Sequence, residues 1–244
     1  MNKRSWSIII IALVIIIGVG TYLFFRSFTG NNIEINSVIP DSTQNSEANK
    51  TTGNTSSTPA ATSNQGGEVA ADALNGQWKI TDASKVYFSV TTSQETVNFE
   101  NKKVSGNWDI NVDSPSTMKG NGSIDMTAND SGNSQRDNHI QQADFFDVAK
   151  FPDATFTATS FENLPKAWTE GTAIPFKLTG KLKVKGIEKD VTFDAQAMYK
   201  NNQVMLSGKT KVTFSDFGMQ NPHNVVLSTE NDIGVQLELV LDKN

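Results

Sequence analysis

The stretch Ile174-Pro-Phe-Lys-Leu-Thr-Gly-Lys-Leu-Lys-Val-Lys185 decides the architecture. Its even positions, Ile174, Phe176, Leu178, Gly180, Leu182 and Val184, are apolar or small. Its odd positions include Lys177, Lys181, Lys183 and Lys185. A period of two is the signature of a β-strand with one face buried and one wet. Gly186-Ile-Glu-Lys189 reads as the turn after it. The next strand carries Val191, Phe193, Ala195, Ala197 and Tyr199 on one face. Lys200-Asn201-Asn202 reads as a hairpin turn, because Asn tolerates left-handed backbone. Val204, Leu206, Gly208, Val212 and Phe214 alternate next, and Ile233, Val235, Leu237, Leu239 and Leu241 alternate near the end.

Working toward the N-terminus, Val86, Phe88 and Val90 share a face, as do Val104, Gly106, Trp108, Ile110 and Val112. Ile124 with Met126, and Phe156 with Ala158 and Phe161, mark two further strands. The total is about eight. One short helical stretch falls at about Ser134 to Gln142. The fold class is therefore all-β: an eight-stranded antiparallel barrel with one short helix, able to enclose one small ligand. A β-sandwich has the same alternation, but strands of twelve to fourteen residues exceed its usual five or six. Small inward residues (Gly106, Gly180, Ala195, Ala197, Gly208) either mark bends or leave room for a ligand.

Upstream the chain changes character twice. Ile8 to Phe25 is uncharged and long enough for a helix of ~27 Å, close to the ~30 Å hydrocarbon core. Lys3 and Arg4 before it favour a cytoplasmic N-terminus. A cleaved signal peptide is the competing reading, but Tyr22, Phe24 and Phe25 stand where small residues would be required. Residues 27–75 are rich in Ser, Thr, Asn and Gln and read as a disordered linker. The expected organisation is a cytoplasmic tail (1–7), a single-pass transmembrane signal anchor (8–26), the linker (27–75) and an extracytoplasmic barrel (76–244).

Composition narrows the function. Of 21 basic residues three lie in the first thirty, leaving 18 against 26 acids, too acidic a surface for general nucleic-acid binding. With no cysteine and two histidines, His139 and His223, thiolate chemistry is excluded and a typical zinc site is disfavoured. No Gly-x-Ser-x-Gly elbow or His-Glu-x-x-His occurs. Asp144 and Asp147 read as loop-fixing groups. Arg136, Asp137 and His139 crowd the short helix, either pinning it over a barrel mouth or meeting a ligand head group. The lysine stripe reads as a solvated face. No catalytic role, metal or resident cofactor is expected, and a homodimer is admissible.

Three segments carry a family likeness: Arg136-Asp-Asn-His-Ile140, Asp144-Phe-Phe-Asp-Val148 and Phe151-Pro-Asp-Ala-Thr-Phe156. With Trp78-Lys-Ile-Thr-Asp82, Leu178-Thr-Gly-Lys-Leu-Lys-Val-Lys-Gly186 and Ser215-Asp-Phe-Gly-Met219, they resemble the YceI family over about residues 76–242. The resemblance implies a lipocalin-like barrel that binds polyisoprenoid. Two positions depart from the family pattern: Phe214 stands where an Arg is usual, and Thr91-Thr-Ser-Gln94 replaces a His-containing segment. The implied ligand is a polyisoprenoid or another long-chain lipid. Its tail would lie against Phe88, Val90, Trp108, Ile110, Phe156, Phe176, Leu178, Phe193, Leu206 and Phe214. Arg136, His139 and Phe145 would stand at the mouth.

Overall fold

The computed structural model of the protein describes residues 33–40, 66–222 and 228–244. Along the chain these form β1 (Glu68–Val69), α1 (Ala71–Leu74), β2 (Gly76–Ile80), β3 (Lys85–Thr92), β4 (Thr96–Asn101), β5 (Val104–Ser105) and β6 (Asn107–Ile110). Then come β7 (Lys119–Asp125), β8 (Asn129–Asp130), α2 (Ser134–Ile140), β9 (Asp153–Glu162), β10 (Trp168–Thr169), β11 (Ile174–Val184), β12 (Ile187–Lys200), β13 (Gln203–Thr213) and β14 (Thr229–Lys243).

Every strand pairing is antiparallel, and β14 returns to β13 to close the ring in the order β13-β12-β11-β9-β7-β6-β2-β14. β2 and β3 lie end to end on the other edge of β14, paired to Leu241–Lys243 and to residues 229–238. Ser84 bridges the break, its hydroxyl bonding both N and O of Val240. Similarly, β4, β5 and β6 continue one another. The barrel therefore has eight strands, two of them bent into segments. Gly106 makes one bend, at φ 150°, where a Cβ would lie 2.1 Å from the Asn121 carbonyl oxygen. The upper part of β4 has no strand neighbour on its outer edge, and α2 with the loop 141–151 fills that gap, packing Ile140 on Val97 and Phe99.

The alternation read from the sequence holds on the inner face. Phe176, Leu178, Val191, Phe193, Leu206, Val212, Leu237 and Leu239 are all buried. The hairpin at Asn201–Asn202 has both residues at positive φ, as a two-residue turn with right-handed strand twist requires. The other turn is displaced: it is Lys185–Gly186, both left-handed, and Ile187 already belongs to β12. Ala158 and Phe161 fall three apart because a bulge shifts the register between Thr179 and Gly180. Gly180 is not ligand space, since a Cβ there would sit 2.4 Å from the Phe156 ring lying over it.

The linker expectation needs correction at both ends. Residues 66–75 belong to the barrel unit: β1 pairs with β10, and Leu74 is fully buried, its carbonyl accepting from Trp78 Nε1 at 2.7 Å. Residues 33–40 lie on the outside of the barrel, where Val38 N donates to Glu238 Oε2 at 2.8 Å and Ile39 is 2% exposed. The tail 1–7, the anchor 8–26 and the remaining linker, 27–32 and 41–65, lie outside the described residues, as does His223. Among the described residues no helix is long and apolar enough to cross a membrane.

Candidate functional site

The barrel interior is divided. One half is solid: Leu74, Trp78, Val112 and Leu178 are fully buried, with Trp168 and Phe176 beside them. The other half encloses a cavity of about 100 Å³, walled by Trp108, Ile124, Phe156, Phe193, Val212 and Leu239 among others. Phe88, Phe146, Met219 and Ile233 line both this cavity and a wider one of about 800 Å³ at the mouth. They form a neck. Above the neck the wall is Val90, Val97, Phe99, Phe145 and Phe214, rimmed by Gln94, Glu95, Gln135, Arg136, Asn138, His139 and Gln142.

The lid over the mouth is built locally. Asn133 caps α2, its side-chain oxygen accepting from Gln135 N and Arg136 N. Asp137 accepts from the amide and hydroxyl of Ser131, a favourable carboxylate position in a first helical turn. Arg136 is buried and donates to Ser131 Oγ and Ser131 O, both at 2.9 Å. Its guanidinium also lies 4.0 Å from Glu95 and 6.0 Å from the Phe99 ring centroid. Burial draws the Arg136 pKa down, opposed by Glu95 and Asp137. Arg136 thus joins α2 to Ser131 ahead of it and faces Glu95 of the β3–β4 turn, while also lining the mouth cavity. His139 is exposed and stands edge-on to Phe145.

Phe88 stacks on Phe99 with centroids 4.3 Å apart, and Phe146 meets Phe88 edge-on at 5.5 Å. Asp147, at φ 49°, turns the loop beneath: its amide donates to Gln142 O and its carboxylate pairs with Lys150 at 2.9 Å. Asp144 is exposed. Loop-fixing is thus the observed role of Asp147.

Of the thirteen residues expected at a ligand site, nine surround the two cavities: Phe88, Val90, Trp108, Arg136, His139, Phe145, Phe156, Phe193 and Phe214. Ile110, Phe176, Leu178 and Leu206 do not. They are packed in the solid half, which α1 and Trp168 plug, so the tunnel does not run the length of the barrel. Val97, Phe99, Phe146 and Met219 were absent from that reading. Val97 and Phe99 alternate within Thr-Val-Asn-Phe-Glu-Asn101, a run whose polar neighbours mask it. Trp108 has a buried indole N–H without an acceptor among the described residues. No cluster of three or more His, Asp or Glu positioned for a metal occurs among them.

The profile of the YceI-like domain matches residues 78–241, the whole ring from Trp78 to Leu241. The chain belongs to that family. Protein YceI of Salmonella arizonae is 36% identical over 97 residues, covering 40% of this chain and 47% of that protein. The matched stretch thus spans about half the length of the curated relatives. The Campylobacter jejuni YCEI protein is 27% identical over 61% of this chain and 86% of that one, with a TM-score of 0.50. A polyisoprenoid binding domain from Saccharophagus degradans, implicated in plant cell wall breakdown, shares the fold at 12% identity. Its TM-score is 0.56, over 68% of this chain and 98% of that one. In this YceI-like barrel the segments 136–140 and 144–148 form α2 and the loop below it, and 153–156 open β9.

Proposed function

We propose that this YceI-like protein is a membrane-tethered, extracytoplasmic carrier of a long apolar chain of polyisoprenoid type. The carrying observation is the apolar neck that joins a mouth cavity of about 800 Å³ to the barrel interior. Volumes of ~300–1,000 Å³ with apolar walls and a few polar groups are typical of ligand sites. The chain lies against Val90, Phe99, Phe145 and Phe214, and its end passes Phe88 and Phe146 toward Phe193. Each buried CH₂ contributes roughly 0.8 kcal/mol, so area alone holds the tail. The interior cavity is smaller than the ~150 Å³ that accepts benzene, so the mouth cavity holds most of the chain. A polar head rests among Gln94, Asn138, His139 and Gln142 at the rim. The polyisoprenoid assignment draws support from what the Saccharophagus domain is said to bind and from family membership. The membrane tether draws support from the apolar segment 8–25 and its basic flank.

The test is mass spectrometry of an organic extract of the purified full-length protein. An isoprenoid or acyl chain at near-stoichiometric amount is expected. A protein that arrives empty and takes up neither kind of chain in detergent would refute the proposal and favour a lipid-free interaction domain.

A further inference from the structure

The outward face of a barrel strand is normally wet, yet on one side of this barrel it is buried and polar. Tyr87 and Glu238 are fully buried although their neighbours Val86, Phe88 and Leu237 point inward, and Gln236 is 9% exposed. What covers them is the segment Ile33-Glu-Ile-Asn-Ser-Val-Ile-Pro40. Asn98 on β4 donates to the Ile33 carbonyl at 2.9 Å. The Tyr87 hydroxyl on β3 meets the backbone of Asn36. Glu238 on β14 accepts from Val38 N and Ser37 Oγ, while its other oxygen accepts from Ser207 on β13 and from Gln236. Ile39 is buried beside Pro175 on β11 and Gln196 on β12.

These partners sit on consecutive strands and step away from the mouth: Asn98 on β4 opposes Ser89 on β3, which opposes Gly234 on β14, four residues short of Glu238, while Glu238 opposes Ser207 on β13 and Ser207 opposes Gln196 on β12. The segment therefore crosses the strands obliquely as a strap, from the mouth end of β4 toward the opposite end of β12. Its first residue rests on β4 at Asn98, between Val97 and Phe99, both of which line the mouth.

We infer that residues 33–40 orient the barrel, turning its mouth toward the bilayer with which it exchanges lipid. The inference rests on the carrier reading and on the anchor at residues 8–25. Seven Cα steps separate Arg26 from Ile33, at most about 25 Å fully extended, so the mouth-side end of the strap stays near the membrane surface. Without the strap, some fifty residues of flexible chain would leave the barrel free to face any direction, with an r.m.s. reach on the order of 40 Å. The mouth end also carries the one large apolar side chain that is exposed among the described residues, Ile187, between Gly186 and Glu188.

The test uses the full chain reconstituted in phosphatidylcholine–phosphatidylglycerol vesicles that carry a headgroup quencher. Because the chain has no cysteine, Ser93→Cys at the mouth and Lys200→Cys at the opposite end each accept one fluorophore. The mouth label should be quenched several-fold more than the far label. Inserting about twenty Gly/Ser residues before Ile33 adds ~25 Å of r.m.s. reach without touching the strap, and should abolish the difference. Equal quenching in the parent chain, or a difference that survives the insertion, overturns the inference. Protein that fails to float with the vesicles overturns the anchor and this inference with it. The carrier reading is tested separately, by lipid content in detergent.

Discussion

Gly120 and Gly122 face the same side of β7, two residues apart, and substitutions at them should have opposite effects. A Cβ at Gly120 would lie 2.7 Å from the Trp108 ring, so Gly120→Ala should cost about 1–3 kcal/mol by overpacking. A Cβ at Gly122 meets Ile80 Cδ1 at 3.8 Å and Ser105 O at 3.9 Å, ordinary contacts, and it points into the interior cavity. An empty cavity of about 100 Å³ is destabilising by about 2.4 kcal/mol at ~24 cal/mol per Å³. Gly122→Leu should recover most of this, less about 1 kcal/mol for imperfect fit. A net gain of about 1–2 kcal/mol raises the melting temperature of a domain this size by roughly 3–6 °C. Thermal melts of lipid-stripped protein in detergent provide the measurement, with extract mass spectrometry on the same samples. A melting temperature that falls as for Gly120→Ala would refute the cavity. A stabilised variant that still carries the parent amount of the same chain would place the tail in the mouth alone.

Three further outcomes follow from named contacts. Arg136→Met removes the donors to Ser131 and the cation facing Glu95, and should lose about 2–3 kcal/mol, whereas exposed His139→Ala should stay within ~0.5 kcal/mol. Hydrogen exchange of the α2 amides reads the difference, and unchanged protection in Arg136→Met would refute the pinning role. Burial pushes Glu100 upward, but hydrogen bonds from Lys102, Lys85 and Tyr87 outweigh it and hold its pKa below 4.5. A depressed folded-state pKa contributes stability that is fully present above the unfolded-state value and is lost as pH falls through the folded one, so the gap between parent and Glu100→Gln should hold at neutral pH and close as pH falls below the ordinary glutamate range. A gap constant with pH in urea melts would contradict this. Asn201→Ala forces a Cβ-bearing residue without a compensating side chain to φ 54°, and should cost about 1 kcal/mol in the same melts, while Asn201→Gly should match or exceed the parent. Equal stability of the two variants would count against the turn assignment.

The long C-terminal strands were legible because their inner residues alternate without interruption over more than ten positions. β4 was not, since its inward Val97 and Phe99 alternate with Thr, Asn and Glu in a strand only six residues long. The site was half legible. Periodicity tells which side chains point inward but not how far along the axis they sit, so Ile110, Phe176, Leu178 and Leu206 looked equivalent to Phe193 until Trp78, Trp168 and α1 were seen to fill that end. The segment 33–40 was illegible for another reason. Its isoleucines alternate with polar residues as in many loops, and the partner that makes it ordered, Glu238, lies two hundred residues away on an outer face expected to be wet.

β14 supplies the closing edge to three other strands at once, and it is the last strand of the ring to be synthesised. Until it arrives β3 and β13 present bare edges, and contacts such as Ser84 with Val240 span 156 residues. Such long-range topology slows folding, and unpaired edges invite association with other chains in the interval. Biogenesis of this barrel thus depends on keeping some 150 residues of half-made sheet apart from their neighbours until the final fifteen emerge, so destabilising substitutions in β14 should lower yield more than they lower the melting temperature of what does fold.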